Sequence, residues 1–136
     1  TNTNQTFTYD ADAGTVTATY GDATAKAHAD ANATDDDGND LDPVIVIEGL
    51  KTIKIRNIKT QAASELARTD WYIVRKADAG TSVPSAITNH RAAVRTKCAA
   101  METAITNASN TPAIETLYTR NADGVRPLGD LPELEV

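Results

Sequence analysis

The stretch Leu50–Trp71, LKTIKIRNIKTQAASELARTDW, decides the fold. Ile55, Ile58, Ala62 and Leu66 recur at three- and four-residue steps, which places them on one face of an α-helix. The spacing predicts an amphipathic helix from about Leu50 to Arg68, ended or bent at Asp70-Trp71. A connector over 77–84, containing Gly80, Ser82 and Pro84, leads into a second periodic run. This run, Ser85 to Asn107, carries Ile87, Val94, Cys98, Met101 and Ile105 on one face. Thr111-Pro112 then reads as a cap followed by proline at the first helical position. It opens a short third helix through Ile114, Leu117 and Tyr118. Trp71, the single tryptophan, sits where the first helix meets the connector. It is expected to anchor the core between the two helices; its alternative is an exposed hot spot in a protein contact.

Upstream of Glu48-Gly49 the period changes from helical to two. Phe7 and Tyr9 alternate with Thr6 and Thr8, and Val16, Ala18 and Tyr20 alternate with Thr15, Thr17 and Thr19. This is the half-buried strand pattern. Between the runs lies Asp10-Ala11-Asp12-Ala13-Gly14, with a glycine suited to a hairpin bulge. From 23 to 33 alanine fills every odd position, which reads as an extended edge strand. Asp35 to Asp40 is an exposed turn, and Val44 to Ile47 is expected to be a buried strand. The expected architecture is α+β: a small N-terminal antiparallel β module (1–48), a helical hairpin plus a short third helix (49–120), and an extended acidic tail (121–136).

Composition narrows the function. Of the 136 residues 40% are hydrophobic, but much of that share is alanine and aromatics are only 4%. Alanine buries little area, so the core is expected to be thin and open to help from partner subunits. Nothing approaches the roughly 20 consecutive apolar residues of a membrane span. The polar opening Thr1–Thr8 lacks the apolar centre of a secretory signal, so synthesis in a cytoplasm is expected. Cys98 is the only cysteine, expected as a plain core thiol. Net charge is −6, unevenly spread: residues 1–50 carry ten acids and one base, and residues 51–126 carry twelve bases and six acids. Opposed halves favour electrostatic complementarity within a chain or between copies. The basic half lacks glycine-rich loops and aromatic stacking positions, so no nucleic acid partner is expected.

The chemical constellations are weak. Aligning Gly38 with position six of a calcium loop puts Asp35 and Asp37 correctly, but Ala33 falls at position one and Val44 at twelve. No metal site is expected there. His28 and His90 have no sequence-local partner of a catalytic kind; His90 reads as the boundary of a helix–helix contact. No catalytic residue and no cofactor site is assigned, and the chain is expected not to be an enzyme. Lys51, Lys54, Arg56 and Lys59 crowd the first half of the first helix, where the helix dipole disfavours cations. They are the candidate partner-binding residues, facing carboxylates of the acidic N-terminal region or of another chain.

From Ile53 to Ile105 the chain resembles a helical module of tailed-bacteriophage tail-assembly and tail-fibre-assembly proteins. The resemblance rests on Arg56-Asn57, Leu66, Thr69-Asp70-Trp71, a connector ending in Pro84, then Ile87, His90-Arg91 and Val94-Arg95. In that family a helix ending in a TDW-like motif joins a second helix bearing a YRxxLR-like motif; here His90 and Val94 replace the aromatic and the leucine. The resemblance implies a non-catalytic role among virion proteins. The expected function is a minor structural or accessory protein of a tailed phage particle, made in the bacterial host cytoplasm. It would bind capsid, tail or fibre proteins and possible further copies of itself. A tail or tail-fibre assembly chaperone is the alternative, and a small metal-dependent enzyme the outsider.

Overall fold

The computed structural model describes residues 5–21 and 25–134. Two strands, β1 (Gln5–Asp10) and β2 (Thr15–Tyr20), form an antiparallel hairpin; two very short ones, β3 (Ala31–Asn32) and β4 (Val46–Ile47), pair further on. Helices α1 (Leu50–Ala67), α2 (Asp70–Ala79), α3 (Ser85–Asn107) and α4 (Thr111–Tyr118) follow. The fold is α+β, a small antiparallel sheet leading into helices. The periodic faces of α1 and α3 meet as their spacing predicts. Ile58 and Ala62 pack on Val94, Cys98, Met101 and Ile105, with Ile55 and Leu66 at the margin. Asn110, rather than the expected Thr111, caps α4 by accepting a hydrogen bond from Ala113 N–H at 2.9 Å; Thr111 is the first helical residue and Pro112 the second.

Residues 121–134 do not stand off as a tail. Leu128 belongs to the same core, and its N–H donates to the Leu117 carbonyl at 3.0 Å. Leu131 packs beside it. Burying one leucine is worth about 1.5–3 kcal/mol, which draws the segment back onto the helices despite its charge. Arg126 is held by Asp130 at 2.6 Å.

The alanine-rich segment has a different role from the edge strand its alternation predicts. Ala23 and Thr24 lie outside the described residues, and only Ala31–Asn32 pairs, with Val46–Ile47. Residues 25–30 instead arch over the start of α1. A helix leaves its first N–H groups without partners, and Gly49, at the N-cap position, has no side chain to offer them. Leu50 N–H donates to the Ala27 carbonyl at 2.9 Å and Lys51 N–H to that of His28 at 3.0 Å. Asp30 closes the arrangement, its carboxylate accepting from Gly49 N–H at 2.7 Å and from the Thr52 hydroxyl at 2.8 Å. Small side chains let the two backbones approach: a Cβ on Gly49 would lie 2.3 Å from the Ala29 carbonyl.

Two further expectations need correction. Val44 to Ile47 is not a buried strand: all four side chains are exposed, and only Val46 and Ile47 pair. The expected hairpin forms, with Phe7 opposite Ala18 and Tyr9 opposite Val16 and no bulge in the ladder. Yet its apolar face is not half-buried, because every residue of both strands is exposed. The physical reason is common to both: the α1–α3 seam offers no spare apolar face against which a sheet could pack.

The Asp30 contacts hold its carboxyl below the ordinary value of 3.8, first through the Gly49 N–H and then through the Thr52 hydroxyl. A depressed folded-state value contributes stability that is present above pH 3.8 and is lost as pH falls through the folded-state value. Asp30→Asn should therefore lower the melting temperature at neutral pH and have a vanishing effect in strong acid; an equal effect at both would place Asp30 outside the cap. Gly49→Ala should cost about 1–3 kcal/mol by overpacking, read from denaturant unfolding.

Candidate interaction surface

α1 stops at Thr69 and α2 begins within a residue, and the joint is locked from α3. Thr69 is only 1% exposed, and its hydroxyl donates to the Leu66 carbonyl at 3.0 Å. Arg91, itself buried, donates from Nη1 to the Leu66 carbonyl and to the Thr69 hydroxyl, each at 2.7 Å. The same nitrogen lies 2.8 Å from the Asp70 carboxylate, whose side chain is otherwise open to water. Arg91 thereby adds a charged donor to the Leu66 carbonyl in the last turn of α1 and finds a counter-charge at the first turn of α2. The two short sequence motifs, Thr69-Asp70-Trp71 and His90-Arg91, thus meet in space through Thr69, Asp70 and Arg91.

This joint determines what α2 presents. The helix buries none of its residues. Trp71 is 51% exposed and Val74 65%, with Ile73 open beside them. The expectation that Trp71 anchors the core is therefore corrected; it occupies the alternative position on the surface. Because the chain resumes a helix at Asp70, the stripe of α1 has its geometric continuation near Thr69. Trp71 falls about 140° around the axis from Leu66 at 100° per residue. Its ring instead lies 3.8 Å from that of Tyr72, and the Arg75 guanidinium covers both, 4.7 Å from Trp71 and 5.4 Å from Tyr72. Gly80, at φ 69°, ends the helix by donating to the Lys76 carbonyl. An exposed tryptophan clustered with a half-buried tyrosine and arginine brings together the residue types that dominate protein–protein hot spots. Tyr72 and Arg75 carry no periodicity signal; the adjacent apolar pair Ile73-Val74, out of phase with the α1 stripe, is the trace that marks the face.

The four basic residues of α1 do not form one outward stripe. Lys51 Nζ donates to the Thr106 carbonyl at 2.8 Å, tying α1 to the end of α3. Lys54 lies over the Tyr118 ring of α4, 4.7 Å from its centroid. Arg56 reaches back to Glu48 at 2.6 Å, and Lys59 to Glu102 at 3.0 Å. Glu48 belongs to the acidic N-terminal region, so one of the expected carboxylates is supplied from there. Arg56 and Lys59 keep exposed side chains and border a shallow groove of about 500 Å³ with Thr52, Ile55, Thr60 and Ala63. Surface pairs of this kind contribute about 0–1 kcal/mol each.

Of the remaining reactive side chains, Cys98 and Asp35 have structural partners. Cys98 is buried in the helical seam with its thiol 3.4 Å from Glu102, and burial pushes the thiol up from its ordinary value. His90 is buried on α3, and its Nε2 has no hydrogen-bond partner among the described residues. Asp35 accepts from the N–H groups of Asp37 at 3.0 Å and Asn39 at 2.8 Å, the arrangement of a side-chain-closed turn. No grouping of metal-ligating side chains occurs among the described residues, and no described helix is long and apolar enough to cross a membrane.

The accessible surface is 9625 Å². A compact monomer of this mass, 14.4 kDa, is expected to expose about 6,800 Å². Among the described residues, large apolar side chains are bare on the hairpin, over Val44 to Ile47 and on α2. No family model, curated protein or solved structure matches the chain.

Two substitutions separate fold from surface. Arg91→Met keeps the aliphatic stem but strips buried carbonyl and hydroxyl groups of a charged donor, and should cost about 1.5–3 kcal/mol. Trp71→Ala should leave unfolding within about 0.5 kcal/mol of the wild type, as surface changes do. Chemical denaturation of both variants decides the assignment; a Trp71→Ala variant destabilised as severely as Arg91→Met would return Trp71 to the core.

Proposed function

We propose that this chain is a non-enzymatic structural or accessory protein of a tailed bacteriophage particle, and that α2 is the face it applies to other virion proteins. The observation that carries the reading is a helix with no buried residue that displays Trp71, Ile73 and Val74 around a stacked Tyr72–Arg75 pair. An apolar patch of this sort on a small chain marks a contact surface. The resemblance of the Thr69-Asp70-Trp71 and His90-Arg91 motifs to phage assembly modules supplies the kind of partner. The exposed Arg56 and Lys59 beside the α1 groove would orient a carboxylate-bearing partner, since complementary charge selects register more than it adds affinity.

Quantitative mass spectrometry of purified particles tests the reading. The chain should be present in mature virions at a fixed stoichiometry, which separates a virion component from a chaperone left behind at assembly. Trp71→Ala combined with Val74→Ser should fold normally and be depleted from particles on the order of tenfold, the loss of one hot spot contact. Normal incorporation of the double variant would remove α2 from the interface.

A further inference from the structure

Among the described residues the β1–β2 hairpin is not covered by any other element: all twelve residues of its strands are exposed. Two-stranded hairpins are marginal in water and gain stability when further strands are added. Natural sheets guard an open edge with lysine, proline or a bulge. These strands carry none of these: Gln5 to Tyr9 and Thr15 to Tyr20 contain no charged residue and no proline, and the pairing runs without a bulge from Gln5–Tyr20 to Asp10–Thr15. The two faces are sharply different. Phe7, Tyr9, Val16, Ala18 and Tyr20 share one, and five threonines share the other, where the Thr6 and Thr19 hydroxyls lie 2.8 Å apart.

We propose that β1 pairs with β1 of a second copy of this chain, antiparallel about Thr8, to make a four-stranded sheet of order β2-β1-β1-β2. The proposal concerns self-association and stands independently of the phage reading. Three features fix the register. Because side chains alternate with period two, keeping both aromatic faces on the same side requires the two-fold axis to pass through a residue. With Thr8 on that axis, Phe7 of each copy lies opposite Tyr9 of the other, a favourable aromatic cross-strand pair. Thr6 of each copy then lies opposite Asp10 of the other, setting a hydroxyl donor against a carboxylate.

Charge selects the antiparallel sense. The only charges on the hairpin, Asp10 and Asp12, sit at the turn end. Antiparallel pairing sends the two turns to opposite ends of the sheet. A parallel arrangement would bring four carboxylates together with no cation between them, and like charges opposed across strands are destabilising. The contact is isologous, so it closes as a dimer and leaves β2 as the outer edge.

Thiol crosslinking of the full chain tests the register. Thr8→Cys puts the two introduced thiols opposite each other across the axis, whereas Thr17→Cys places them on the far strands. Mild oxidation at micromolar protein should convert the Thr8→Cys chain to a disulfide dimer on the order of a hundredfold faster than Thr17→Cys, because the paired thiols sit at millimolar effective concentration. Wild-type protein, whose one cysteine is buried in the helical seam, should give no dimer band. Sedimentation of the wild type from micromolar to hundred-micromolar concentration should show a monomer–dimer equilibrium. Equal crosslinking of the two variants, a dimer without the Thr8 crosslink, a trimer, or a monomer throughout the range would each overturn the proposal.

Discussion

The packing of α1 on α3 is the contact from which the rest of the chain is arranged. Ile58 and Ala62 meet Val94, Cys98, Met101 and Ile105, and Leu128 closes the seam from the C-terminal segment. Two features outside that seam keep its helices in place. At one end the carbonyls of Ala27 and His28 and the carboxylate of Asp30 satisfy the start of α1. At the other, Arg91 donates to the Leu66 carbonyl in the last turn of α1 and turns the chain into α2. The first supplies partners to helix N–H groups that would otherwise lack them, and the second adds a charged donor to a buried joint; losing either is costly in a small domain.

With so few large side chains, the seam has no capacity to cover anything else. The hairpin, the Val44 to Ile47 strip and α2 are consequently left bare. A protein of this size that exposes well over the area of a compact monomer leaves much of its apolar surface in water. The charge division has a similar logic. Arg56 finds Glu48 from the acidic half, and Lys59 finds Glu102 within the helices, so much of the apparent field is neutralised locally and only the outer ends of these pairs face water.

How far the sequence could be read depended on how locally each element is determined. Helices α1, α3 and α4 follow from spacing and capping alone, and the stripe from Ile87 to Ile105 names the residues that are buried. The hairpin itself was equally legible, from two period-two runs joined by a turn with Gly14. What sequence could not reveal was which apolar faces find a partner. Trp71 and Val44 to Ile47 carry the same hydrophobicity whether buried or bare, and their exposure follows from the geometry of the α1–α2 joint and the small reach of the core. The alternation over 23–33 misled for a related reason. Its small side chains serve the close approach of residues 25–30 to Gly49, a long-range contact with no local periodicity. Of the four basic residues singled out on α1, their crowding was real, but their pairing with Thr106, Tyr118, Glu48 and Glu102 depends on tertiary placement.

The proposed phage role requires α2 to be open in the free chain and covered in the proposed assembly, and the single tryptophan reports on it directly. Iodide quenching of Trp71 fluorescence should be efficient in the isolated protein and, if the proposal holds, strongly reduced in purified particles that contain the chain. A tryptophan already protected in the isolated chain, or one equally accessible after incorporation, would contradict the account.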